Sequence, residues 1–122
     1  MLNDFTEMPV WGKAMTIGEK SFYISENLPR KEDYALTSQI RRSAESISAN
    51  IAEGFGRRTS KDKSHFYTMA RGSSTETKSH LIYGVRVKYF EERNYLEIKI
   101  LIEEVIHELN KIVDYLNRDS QP

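Results

Sequence analysis

Apolar positions recur along this chain at helical spacing in four stretches, and no stretch alternates apolar and polar residues with a period of two. The last stretch is the clearest. Ile98, Ile102, Val105, Leu109, Ile112 and Leu116 step by four, three, four, three and four, a heptad seam that predicts a helix over about residues 92–117. Leu101, Ile106 and Val113 flank that seam with more apolar surface than one neighbour covers, so this helix is expected to touch two neighbours or another subunit. Ile40, Ala44, Ile47, Ile51 and Phe55 give a similar face over 37–56, with Thr37 or Ser38 as its cap and Gly54 and Gly56 as its stop.

The first helix is expected over about 10–27. Pro9 suits a first helical turn, Val10, Ala14, Ile17, Ile24 and Leu28 follow, and Pro29 forces the preceding residue out of the helical region. Thr59 with Asp62 three residues on is a capping signature that opens a third helix, over about 60–87. Phe66, Ala70, Ser73, Thr77, Leu81 and Gly84 form its expected seam, and its small residues imply close contact with neighbouring backbones. The turn into the last helix falls between Lys88 and Asn94, a stretch without glycine or proline. Four amphipathic helices with short links predict an all-α fold, an antiparallel up-and-down four-helix bundle, occupying 1–122 as one domain.

Composition narrows the chemistry. Hydrophobic residues make up 39% and charged residues 30% of the 122 positions, the balance of a chain that folds around a core. No apolar run approaches the ~18 residues needed to cross a bilayer, and the acidic start lacks the positive charge of a signal peptide, so a cytoplasmic protein with no membrane partner is expected. The absence of cysteine removes disulfides, thiolate metal sites and cysteine nucleophiles. The net charge of zero hides an asymmetry: residues 1–90 sum to +4 and residues 91–122 to −4. Such a dipole suits an anionic partner on one face, or self-association through opposite faces.

Bundles of this size hold di-metal carboxylate sites in other proteins, and a di-iron type enzyme is the alternative reading of the pattern. The Glu104-Val-Ile-His107 spacing does not support it, because both side chains point away from the seam and no second such motif exists. Glu76 and His80, one turn apart, leave a metal short of ligands. No serine sits in a nucleophile elbow, and Gly54-Phe-Gly56-Arg57 follows a helix and lacks the Gly-Lys-Ser/Thr of a phosphate loop. The expectation is therefore a protein that is not an enzyme, with no catalytic residue, metal or cofactor.

Two polar clusters remain. Arg42, Asn50 and Glu53 lie on one stripe of the second helix among serines and alanines; with Glu76 of the third helix they are read as a structural network, Arg42 reaching Ser46 and Glu53 pairing with Arg57. Arg57, Arg58, Lys61 and Lys63, with Asp62 the single acid among them, crowd the turn where the third helix begins. A helix N-terminus with added cations is a candidate nucleic-acid contact, flanked by Phe55, Phe66 and Tyr67, and otherwise a solvated turn.

The run SQIRRSAESISANIAEGFGR from Ser38 to Arg57, HFYTMARGSSTE from His65 to Glu76, and Val10-Trp11-x-Lys13-Ala14-Met15 together resemble the 23S ribosomal RNA intervening-sequence proteins. The resemblance implies a bacterial four-helix bundle that assembles as a homopentamer, with its biochemical role largely unassigned. A related bundle, the accessory variability protein of diversity-generating retroelements, forms a basic pentameric barrel that binds a reverse transcriptase and nucleic acid. The partners so implied are the chain itself, RNA, or a reverse-transcriptase-like or ribosomal protein. Ser48 stands where relatives often carry proline, Lys63 where they carry an aromatic residue, and Arg71 and Thr77 where they carry leucine.

Overall fold

The structure, a computed structural model, describes residues 1–119, so the last three residues of the expected 1–122 domain lie outside it. Four helices, α1 (Pro9–Ser25), α2 (Leu36–Gly56), α3 (Ser60–Arg86) and α4 (Glu92–Asp119), account for most of the chain, and short 3-10 turns at Phe5–Glu7 and Arg30–Glu32 precede α1 and α2. Among the described residues there is no strand. Pairs across the helix boundaries fix the directions. Gly18 lies against Ala44 and Ser25 against Arg41, Ser46 against Ser73 and Ser43 against Thr77, Arg71 against Asn110 and Lys78 against Glu103, and Lys13 against Glu108 and Lys20 against Glu97; one number rises as its partner's falls, so every neighbouring pair runs antiparallel. Each helix packs on the next, α4 returns to α1, and the backbones of the diagonal pairs α1–α3 and α2–α4 stay apart across the core. The fold is an all-α antiparallel four-helix bundle.

Helix ends follow local hydrogen bonding. α1 stops at Ser25, short of the expected 27, because the Glu26 and Leu28 N–H groups donate to Tyr23 and Ser25 in tight three-residue turns ahead of Pro29. α2 begins at Leu36 without the Thr37 or Ser38 cap. Its Leu36 N–H donates instead to the Glu32 carboxylate of the preceding short turn, at 3.3 Å, while Thr37 is buried. The α3 cap is as expected, Asp62 N–H donating to Thr59 Oγ1 at 3.1 Å. α3 ends without glycine in the turn: Lys88 takes a left-handed conformation, φ 71°, and the Tyr89 and Phe90 N–H groups turn back onto the Gly84 carbonyl at 2.8 and 3.2 Å.

Ile17, Ile40, Ile47, Ile51, Leu81, Ile102 and Leu109 are fully enclosed at the centre. Around them the expected seams shift by one residue in places. Tyr67 and Ser74 are buried where Phe66 and Ser73 were expected, Val113 is deeper than Ile112, and Phe55 and Ile24 are half-buried while Ser21 and Ser25 are enclosed. A helix of 3.6 residues per turn drifts against a strict seven-residue repeat, which moves the buried position over a long helix. The small residues make a polar layer between α2 and α3: Thr77 Oγ1 donates to Ser43 Oγ at 2.9 Å, and Ser46 Oγ to Ser73 Oγ at 2.8 Å. These short side chains bring the two backbones close and satisfy one another's hydroxyls.

Candidate nucleic-acid interface

The α2–α3 turn brings Arg57, Arg58, Lys61 and Lys63 together, but it gives them different work. Lys63 Nζ folds back over the end of α2, donating to the Phe55 carbonyl at 2.7 Å and to Gly54 at 3.4 Å, and lies 5.5 Å from the centre of the Phe55 ring. It is the cationic cap of α2, where carbonyls lack helical partners. Lys63→Met is therefore expected to lower stability by about 0.5–1 kcal/mol, read as a shifted urea midpoint. Arg57 pairs with Glu53 at 2.9 Å, as the sequence indicated, and stacks on Phe66 with 4.5 Å between guanidinium and ring centre. Arg58 and Lys61 stand exposed with no ion pair among the described residues. Together with Glu53, Gly56, Thr59 and Asp62, the two arginines line an open cleft of about 850 Å³.

Thr59 and Asp62 already satisfy the start of α3, so the anion-seeking element of the turn is the side-chain pair Arg58 and Lys61 rather than bare helix N–H groups. The flanking aromatic rings are each met by a cation or by burial. Phe66 lies beneath Arg57 and Phe55 beneath Lys63. Tyr67 is buried under Gly54, where an added Cβ would come within 2.9 Å of its ring, and its hydroxyl proton is held more tightly than usual because burial disfavours the phenolate.

The expected network of Arg42, Asn50, Glu53 and Glu76 does not form as one unit. Asn50 Nδ2 donates to the Ser46 carbonyl at 2.9 Å, Glu53 holds Arg57, Glu76 pairs along its own helix with His80 at 3.2 Å, and Arg42 is exposed. Ser46, the expected contact of Arg42, bonds to Ser73 instead, so serine and threonine hydroxyls carry the α2–α3 register. His107 is exposed, and Glu104 pairs with Lys13 at 3.5 Å beside Glu108, whose carboxylate pushes the Lys13 ammonium above its ordinary pKa. Among the described residues no three histidine, aspartate or glutamate side chains gather to hold a metal. No described helix is long and apolar enough to cross a membrane.

One feature escaped the sequence pattern. Between α1 and α2 runs a groove of about 540 Å³ with Met15, Phe22 and Tyr23 exposed along it and Gly18 and Ser48 on its lining. Arg41 rests on Phe22 at 4.3 Å and donates to Ser25 Oγ at 2.9 Å, which fixes one wall. The seven-residue spacing of Met15 and Phe22, two turns along one side of α1, is the signal that marks it.

Fold and surface together define an antiparallel four-helix-bundle protein whose outward features are a cationic turn and an apolar groove. The chain belongs to the family described as 23S rRNA-intervening sequence protein, whose model matches residues 6–111. Among solved structures it is similar to a protein of unknown function from the S23 ribosomal protein family of Bacteroides thetaiotaomicron VPI-5482, at 23% identity and a TM-score of 0.79, over 85% of this chain and 97% of that one. That likeness is one of fold. No curated protein matches the sequence.

Proposed function

We propose that this chain is a non-enzymatic assembly module, a homo-oligomer of pentameric size that holds RNA by its phosphates. The observation that carries the RNA reading is that Arg58 and Lys61 at the α2–α3 turn are exposed and make no ion pair among the described residues. With a cation lying over Phe55 and another over Phe66, and Tyr67 buried, the contact goes chiefly to the backbone and discriminates sequence weakly. Two free cations bind a polyanion feebly, whereas a symmetric ring repeats them and contacts several phosphates at once. The apolar groove beside α1 supports assembly.

The test is a gel-shift series with structured ribosomal RNA fragments across salt. Arg58→Gln with Lys61→Gln, which leaves the Arg57–Glu53 pair in place, is expected to weaken binding by tenfold or more at ~50 mM salt and to flatten the salt dependence, with oligomer size and helicity unchanged. Equal retention by both proteins, or none by the wild type, would return the turn to ordinary solvated surface. Capture of a protein partner without RNA would assign the turn to that protein instead.

A further inference from the structure

We infer that the cleft between the end of α1 and the start of α4 is a binding site for a nucleobase, a flat neutral heterocycle with a hydrogen-bond donor and acceptor on one edge. The cleft holds about 510 Å³, within the range of roughly 300–1,000 Å³ usual for small-molecule sites. Because neighbouring helices are antiparallel, it lies at the opposite end of the bundle from the α2–α3 turn, and neither contact depends on the other.

Ile24, Phe90 and Ile98 give the lining its apolar part, and Phe90 and Ile98 belong to the core, so this surface is fixed. Two tyrosines stand beside it. Tyr89 is held in place, its hydroxyl donating to the Glu32 carboxylate at 2.8 Å. Tyr23, edge to face with Phe22 at 5.3 Å, is 65% exposed and offers ring surface to a ligand. Every base has a π-face that stacks on such a ring.

The polar groups decide the charge of the ligand. Lys20 pairs with Glu97 at 3.8 Å, and Glu91 with Arg93, just outside the cleft, at 2.9 Å, so each ionised side chain on the lining already has its opposite. Asn27 on the α1 side and Asn94 on α4 differ: among the described residues neither carboxamide makes a hydrogen bond. A carboxamide carries a donor and an acceptor side by side, which matches the donor–acceptor edge of a base and pairs bidentately with N6 and N7 of adenine. A charged ligand must break an ion pair to gain one, whereas a neutral heterocycle uses only groups that have no partner.

Adenosine is the probe, because it has no phosphate for Arg58 and Lys61 to hold. Calorimetric titration of the wild-type protein is expected to show saturable binding, one adenosine per chain, with the side-chain amide NMR signals of Asn27 and Asn94 shifting as the site fills. Asn27→Ala with Asn94→Ala is expected to weaken binding tenfold or more, with helices intact by circular dichroism. Asn94→Asp, which keeps the shape and removes the donor, replaces that pair if it fails to fold. Lys20→Gln with Glu97→Gln is expected to change affinity by no more than about twofold. An unpaired adenosine-rich oligonucleotide, titrated into the Arg58→Gln, Lys61→Gln protein, separates the two sources of the base: tighter binding than adenosine assigns the cleft to a base exposed in RNA, weaker binding to a free nucleoside. No saturable binding of adenosine, or equal binding by the asparagine variant, would overturn the site and leave the phosphate contact at the α2–α3 turn standing. Loss of binding in the Lys20, Glu97 variant would overturn the neutral ligand.

Discussion

Gly84→Ala is expected to destabilise the bundle by about 1–3 kcal/mol, through overpacking. The sign is unusual, because alanine in a helix interior ordinarily gains about 0.5–1 kcal/mol over glycine. Here the turn after α3 folds the Phe90 ring onto Gly84, so that an added Cβ would clash with the ring's edge, while the Gly84 carbonyl accepts the N–H groups of Tyr89 and Phe90. Phe90 is itself buried and anchored at the start of α4, which leaves the ring little room to step aside. Urea unfolding measures the loss. The double variant Gly84→Ala with Phe90→Ala should cost clearly less than the sum of the two single changes, the mark of two groups competing for one space. Additive costs would mean that the methyl group finds room elsewhere.

Leu109→Ala is expected to cost more, about 2–5 kcal/mol, the range for removing a large aliphatic side chain from an enclosed core. Leu109 is completely buried on the inward side of α4, where a close-packed core closes only part of the space it leaves. Tyr115 on the same helix is the control. It is exposed, and Tyr115→Ala should change the stability of the folded chain by no more than about 0.5 kcal/mol. A contrast of several degrees in melting temperature between the two variants would measure how one-sided α4 is, and equal losses would contradict the helix orientation described above.

The sequence made the bundle legible because its signals were redundant. The α4 heptad, the α2 face and the Thr59–Asp62 cap each pointed to the same helices that the structure holds. Where the reading slipped, a tertiary contact outweighed a local rule. The α2 start depends on Glu32 reaching from another element, and the end of α3 on a left-handed lysine stabilised by bonds to Gly84 rather than on a glycine in the turn. The seams drifted because helical wheels treat every turn alike. Phe66 and Tyr67, adjacent and both aromatic, can be sorted only by knowing that Gly54 on α2 leaves a hollow for the tyrosine.

The candidate site was legible in part. Charge density located the α2–α3 turn, and helical spacing found the Glu53–Arg57 pair. Spacing could not show that Lys63 turns back to cap α2, because that depends on how the chain folds across the turn. Nor could it separate a polar stripe from a polar network. Arg42 and Glu76 share hydrophilic faces yet lie apart from the Ser43–Thr77 and Ser46–Ser73 bonds that join the helices. The groove at Met15 and Phe22 emerged only when α2 was laid beside α1.

Assembly is the centre of the account, since the cationic turn holds a polyanion only when several copies repeat it. Size-exclusion chromatography with light scattering on the wild-type protein tests it most directly. The expected result is one species of about five times the 14.2 kDa chain mass, holding its mass on dilution to roughly 1 µM, as a tight ring should. A species of 14.2 kDa at every concentration would contradict the account.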